Sequence, residues 1–133
     1  MDQLRDIMIK KVITIERDKN AQDAAKAMAE HEIGSLVVVS EGKPVGIVTE
    51  RDLVRKVCVK DTVSSKIPLA DIMSSPVIFA EPDMLIETAV QRMFNSKIRR
   101  LVILESDKLV GIVTVSDLAK YVRTRSIMDK MFD

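Results

Sequence analysis

The sequence predicts an α/β (α+β) fold in which two β-α-β-β-α repeats pack together with pseudo-two-fold symmetry. Leu4 to Val57 aligns with Leu69 to Val122 without a gap, and roughly 40% of the paired positions agree, more than shared composition produces. Within each copy the apolar spacing changes from strand-like to helical and back. A unit of this size buries too little apolar surface to be comfortably stable alone, so the two copies are expected to share a core.

The elements follow in order. Val12 to Ile15 and Val77 to Ala80 are apolar runs of strand length. A helix follows each, carried by Ala21, Ala24, Ala25, Met28 and Ala29 behind an N-cap at Asn20, and by Ile86, Ala89, Val90 and Met93 in the second copy. Leu36 to Val39 and Val45 to Val48 are β-branched runs separated by Ser40-Glu41-Gly42-Lys43-Pro44, a hairpin repeated by Leu101 to Leu104 and Leu109 to Val113 around Glu105-Ser106-Asp107-Lys108. A final short helix begins near Thr49 or Thr114, with Leu53, Val54 and Val57, or Leu118, Ala119 and Val122, on its apolar face. The expected organisation is repeat 1 over residues 1–60, a connector over 61–68, repeat 2 over 69–122 and a helical tail over 123–133, the two repeats forming one compact module.

Composition narrows the function. The 133 residues are 47% hydrophobic and 31% charged, a balance that folds. Because 21 Lys+Arg face 20 Asp+Glu, no global field draws nucleic acid or an anionic membrane, and any anion site must be local. Aromatics are 3% with no Trp, so the stacking platforms of single-stranded nucleic acid binding are missing. Cys58 is the lone cysteine, which suits a reducing compartment. The opening Met1-Asp2-Gln3-Leu4-Arg5-Asp6 is charged and the apolar runs are strand-sized, so a cytoplasmic protein without a membrane span is expected.

The strongest internal match is Val45-Gly46-Ile47-Val48-Thr49, repeated letter for letter as Val110-Gly111-Ile112-Val113-Thr114 and followed by Asp52-Leu53 or Asp117-Leu118. Two readings fit Thr-x-x-Asp. A carboxylate can accept hydrogen bonds from the two hydroxyls of a ribose diol, while Thr and the adjacent helix N-terminus offer donors to phosphate. The same spacing is also a capping box, with Thr49 or Thr114 capping the last helix and the acid answering it. Gly46 and Gly111 would allow close backbone approach.

With Asp6-Ile7-Met8 and Asp71-Ile72-Met73 opening the copies and Gly-Ile-Val-Thr-x-x-Asp closing them, the chain resembles the CBS domain family, whose units occur as tandem pairs called Bateman modules. The resemblance covers nearly the whole chain. It implies two clefts between the repeats, each taking its Thr and Asp from one repeat and its other wall from the opposite one, with an adenosine nucleotide (AMP, ADP, ATP or a related adenosyl compound) as regulatory ligand. On that pattern the first cleft comprises Thr49, Arg51, Asp52, Ser74, Pro76, Ile78, Ile98, Arg99 and Arg100. The second comprises Ile9, Lys11, Ile13, Ile33, Gly34, Ser35, Thr114, Ser116 and Asp117.

The copies differ where charge matters. Arg99-Arg100 aligns with Gly34-Ser35, so the first cleft is expected to favour phosphate, which guanidinium groups match well, with Asp52 the more important acid. Arg51 either contacts phosphate or pairs with Asp52; Ser116 stands in its place in the other copy. Ile9 replaces the hydroxyl residue expected there, a place Ser74 fills. His31 ends a helix and reads as a helix C-terminal charge, and Met8, Met28, Met73 and Met93 as core.

In the tail, Ile127, Met128, Met131 and Phe132 form an apolar stripe at helical spacing. It either packs on a neighbouring chain, as in a homodimer, or folds back on its own repeats. The expected function is a regulatory module that senses an adenosine nucleotide and signals to an unidentified regulated protein, with no required cofactor, no metal, no catalytic residue and no nucleic-acid or membrane partner. The alternative is a ligand-free interaction module acting through dimerisation. No P-loop, dinucleotide fingerprint or nucleophile with a base supports an enzyme.

Overall fold

A computed structural model describes residues 2–132. The chain is mixed α/β, with two three-stranded sheets of order β1-β2-β3 and β4-β5-β6. It divides into two compact units, Val12–Val77 and Met1–Lys11 with Ile78–Asp133. These units are offset from the sequence repeats: the opening segment of each repeat belongs to the unit built on the other.

In the Val12–Val77 unit, β1 (Thr14–Glu16) runs parallel to β2 (Ser35–Ser40), which pairs antiparallel with β3 (Lys43–Thr49). The crossover between β1 and β2 is α1 (Ala21–His31). Asn20 starts α1 as expected: its side chain accepts from the Asp23 amide at 2.9 Å, and Asp23 returns a contact to the Asn20 amide at 3.1 Å. Glu32 ends it in the left-handed region. Ala21, Ala24 and Met28 lie on the sheet face with Ile15, Leu36, Val38 and Val48. Two further members of this core, Leu69 and Ile72, arrive from the segment that opens the second repeat. That segment is anchored by the Ala21 amide on the Ile67 carbonyl at 2.8 Å and by reciprocal bonds between Ile47 and Ser74 at 3.0 and 2.9 Å.

The other unit repeats the plan with β4 (Phe79–Ala80), α3 (Ile86–Ser96), β5 (Arg100–Glu105) and β6 (Lys108–Thr114). The Leu4 amide reaches the Met84 carbonyl at 2.9 Å, and Ile9 and Ile112 exchange bonds at 2.9 and 3.0 Å. Leu4 is fully buried with Ile86, Met93, Leu101, Ile103 and Val113. The two glycines of the repeated motif have a definite reason in this arrangement. A Cβ on Gly46 would stand 2.6 Å from the Met73 sulfur, and one on Gly111 the same distance from that of Met8.

The units part company after β3 and β6. The first helix is short, α2 (Glu50–Leu53), and continues as one π-helical turn, Val54–Cys58. Its counterpart α4 (Val115–Phe132) runs unbroken for 18 residues. The sequence reading of a short final helix followed by a distinct tail is thereby corrected in the second copy: Arg123–Phe132 continue the same helix, while Asp133 lies outside the described residues. The strand starts also shift. Regular pairing begins at Thr14 and Phe79, where the parallel neighbour is reached, two residues later than the apolar runs suggest. No helix among the described residues is long and apolar enough to cross a membrane.

Candidate ligand-binding site

Each copy of Thr-x-x-Asp is a capping box. The Thr49 amide and hydroxyl both donate to Asp52 Oδ2, at 2.9 and 3.1 Å, and the Asp52 amide donates to Thr49 Oγ1 at 3.2 Å. Thr114 and Asp117 repeat the set at 2.8, 3.0 and 3.2 Å. The cap consumes one carboxylate oxygen only. The helix-cap and diol-binding readings are therefore compatible, because Oδ1 of each acid takes no part in the cap.

The two Oδ1 atoms meet different surroundings. Lys56 Nζ lies 3.1 Å from Asp52 Oδ1 and also donates to the Ile72 carbonyl at 2.8 Å. Arg51, the pairing partner considered from the sequence, is exposed on the first turn of α2. In the other unit the position aligned with Lys56 is Tyr121, whose hydroxyl donates to Asp2 at 2.5 Å. The cap bonds of Asp117 fall on Oδ2, and the aligned side chain Tyr121 is engaged by Asp2. Sequence reasoning passed over Lys56. The signal was its position one helical turn after Asp52, where an ammonium reaches a carboxylate.

Strand register decides where the arginines stand. Arg100 opens β5 directly opposite Thr114 on β6, and directly opposed residues project from the same face of a sheet. Arg99 precedes the strand, is exposed, and accepts the Val115 amide on its carbonyl at 3.0 Å. Arg100, expected to complete the cleft of Asp52, thus has Thr114 of its own unit as its strand neighbour. In the other unit the matching neighbours are Ser35 and Thr49. There the Glu50 amide binds the Gly34 carbonyl at 3.0 Å, and Glu50 Oε1 would lie 2.7 Å from a Cβ at Gly34.

The residues assigned to each cleft divide between the units. Val12–Val77 holds Thr49, Arg51, Asp52, Ser74 and Pro76 of the first set and Ile13, Ile33, Gly34 and Ser35 of the second. The other unit holds Ile78, Ile98, Arg99 and Arg100 of the first set and Ile9, Lys11, Thr114, Ser116 and Asp117 of the second. Within its unit, Ser74 is bound to the β3 backbone through Ile47, and Ile9 is bound to β6 through Ile112. Ser74, Pro76, Ile9 and Lys11 are exposed; Ile78 and Ile98 are half-buried.

Locally, then, the Thr114 to Asp117 turn has two arginines, a valine and a carboxylate oxygen outside the cap. The Thr49 to Asp52 turn has glycine, serine, a glutamate, the exposed Arg51 and a carboxylate matched by the Lys56 ammonium. The former sets two arginines beside its acid; the latter sets a glutamate and an ammonium there. His, Cys, Asp and Glu form no group suited to a metal ion among the described residues.

The CBS domain family model matches residues 4–58 and 69–124. This chain belongs to the CBS domain family. As a tandem CBS pair it is a regulatory module. It is 46% identical over 109 residues to an uncharacterized protein of Methanopyrus kandleri, covering 80% of this chain and 56% of that protein, so it spans little more than half that relative's length. Its fold is similar to the CBS domain pair of protein MJ0100 in complex with 5′-methylthioadenosine and S-adenosyl-L-methionine, at TM-score 0.82 and 28% identity, covering 94% of this chain and 98% of that one. It is also similar to a hexameric CBS-CP12 protein from bloom-forming cyanobacteria, at TM-score 0.80 and 31% identity, covering 90% of this chain and 70% of that one.

Proposed function

We propose that this CBS pair is a cytoplasmic sensor of an adenosine nucleotide that signals occupancy to a regulated protein, with the ribose diol on Asp117 and phosphate on Arg99 and Arg100. The observation that carries this reading is that the cap uses Asp117 Oδ2 and leaves Oδ1 outside it, beside the Arg100–Thr114 strand pair. A carboxylate accepts both hydroxyls of a diol, and guanidinium forks match phosphate oxygens. The adenosyl ligands bound by the MJ0100 pair support the same chemical class. Ligand affects signalling through whatever arrangement it binds better, so the response is set by differential affinity.

A thermal-shift series with AMP, ADP, ATP, 5′-methylthioadenosine and S-adenosylmethionine tests this. A ligand of the folded state stabilises by RT ln(1 + [L]/Kd). The phosphate-bearing compounds should raise Tm more than the two that lack phosphate. No shift from any of them at millimolar concentration would discard the sensor reading.

A second reading, an interaction module working through self-association, is favoured by the helical faces. In the unit containing α4, a groove of 1120 Å³ is lined by Val90, Phe94, Leu118, Val122 and Ile127, and Phe94 is 78% exposed. Its lining also includes Lys97, Arg99, Arg123 and Lys130. The matching groove of the other unit, 340 Å³, is lined by Ala25, Ala29, Glu32 and Glu50 among others. An apolar groove with basic residues in its lining and a smaller one with acidic residues in its lining suit a homodimer. Light scattering should give a dimer mass that falls to the monomer in Phe94→Glu; a wild-type monomer would reject dimerisation.

A further inference from the structure

We propose that Lys56 is an internal lock on Asp52, making this a one-acid sensor that binds its nucleotide on Asp117 until Lys56 is withdrawn. The inference rests on the adenosine reading above and adds a specificity device to it. Asp52 is buried and its Oδ2 is committed to the cap, so only Oδ1 remains for a ligand, and Lys56 Nζ holds it at 3.1 Å. A diol hydroxyl and the ammonium both make charge-assisted bonds to the carboxylate, but the ammonium adds the attraction of opposite charges, which a neutral hydroxyl has to displace.

The lock has a second anchor. Lys56 also donates to the Ile72 carbonyl at 2.8 Å, and Ile72 is a fixed point, 2% exposed within the same core. Withdrawing Lys56 therefore forfeits two bonds that its ammonium donates, one to the Asp52 carboxylate and one to the Ile72 carbonyl. An exposed lysine pair is ordinarily weak because its long stem is free to leave; here the ammonium is held from two sides and its side chain is 40% exposed.

Comparison with the aligned position isolates the cause. Both acids have the same cap and follow the same strand motif, yet at the place of Lys56 stands Tyr121, which binds Asp2 and brings no ammonium to Asp117. The helices diverge here as well, since Lys56 sits in the π-helical turn Val54–Cys58 and Tyr121 in regular α-helix. π-Helical turns within helices are frequently placed at functional positions. Glu50 beside Gly34 reinforces the difference, because a carboxylate at that rim opposes phosphate.

Isothermal titration with AMP tests the lock on the intact chain. Wild type should bind one AMP per chain, with binding lost in Asp117→Ala and kept in Asp52→Ala. Lys56→Met should gain a second site that Asp52→Ala removes. Two sites in wild type, or a Lys56→Met variant with unchanged stoichiometry or weakened binding, would overturn the lock. NMR of the lysine ammonium groups supplies a ligand-free readout: a slowly exchanging Lys56 signal that disappears in Asp52→Asn is expected. Absence of that signal in wild type refutes the lock and leaves the nucleotide reading standing. A retained signal with no AMP bound by any variant refutes the nucleotide reading and this specificity role with it.

Discussion

The two units share a sheet order, a crossover helix, a hairpin register and a helix cap, yet differ in what surrounds the acid after that cap. Asp52 faces an ammonium, whereas Asp117 caps a helix that follows the strand pair Arg100–Thr114. The same motif can therefore serve as structure in one unit and as structure plus acceptor in the other. What separates them is one residue a helical turn away, Lys56 against Tyr121, and one strand-entry pair, Gly34-Ser35 against Arg99-Arg100. The backbone supplies equal frames; the side chains fill them unequally.

The largest expected effect checks that the frames are in fact equal. Leu4 and Leu69 are fully buried at matched positions, each carried into its core by the segment that opens a repeat. Leu4→Ala and Leu69→Ala should each cost about 2–5 kcal/mol in urea unfolding, the range for a leucine cavity that relaxes only in part. Comparable losses confine the asymmetry to the acids. A loss in one variant only would move part of it into the cores.

Next in size is the ligand difference. Asp117→Ala should weaken AMP binding at least about tenfold, some 1.4 kcal/mol, while Asp52→Ala should leave it within about twofold. Each substitution also removes the acid's half of a capping box, and Asp52→Ala removes the Lys56 ion pair as well, so urea unfolding of both variants is needed to separate stability from the diol contact. The reverse order, with Asp52→Ala the damaging change, would place the site in the other unit.

Much of this fold was legible because the signals were local and doubled. Apolar spacing, Asn20 at a helix start and the two hairpins each depend on residues close in sequence, and the second copy repeats them. The partition into units was hidden. Leu4 and Leu69 read as the first apolar residues of their repeats, but backbone bonds to Met84 and, through Ile67, to Ala21 place them in the opposite cores. At the site, Thr-x-x-Asp was found and both of its readings were kept. The neighbour of Arg100 was not found, because strand register, and not order along the chain, puts Thr114 beside it. Lys56 was passed over for a different reason: its aligned partner is a tyrosine, and an alignment searched for shared chemistry gives such a position no weight.

A smaller effect tests the helix starts. Asn20→Ala should cost about 1 kcal/mol by removing the side-chain acceptor of the Asp23 amide, and Asn20→Gly only a few tenths. In α3 the equivalent position is Leu85, which makes no side-chain cap bond. Urea midpoints for the two Asn20 variants check this, and equal losses from Ala and Gly would mean that the cap contributes nothing beyond backbone geometry.

The smallest effect concerns the residue that replaces Lys56. Tyr121 is the only tyrosine in a chain without Trp, so phenolate absorbance reports it alone. Its pKa is raised above the ordinary phenol value, first by the hydrogen bond it donates to Asp2 and then by desolvation and the Asp2 charge, with Arg125 opposing. The sign follows from which form is bonded: the neutral phenol donates, so the contact is fully present below the unfolded pKa and is lost as pH rises through the higher folded one. An absorbance titration should place the wild-type midpoint above that of Asp2→Asn, in which the charge is gone. If the two midpoints coincide, Tyr121 is not held by Asp2, and the contrast with Lys56 must rest on the absence of an ammonium and not on the tyrosine being drawn away.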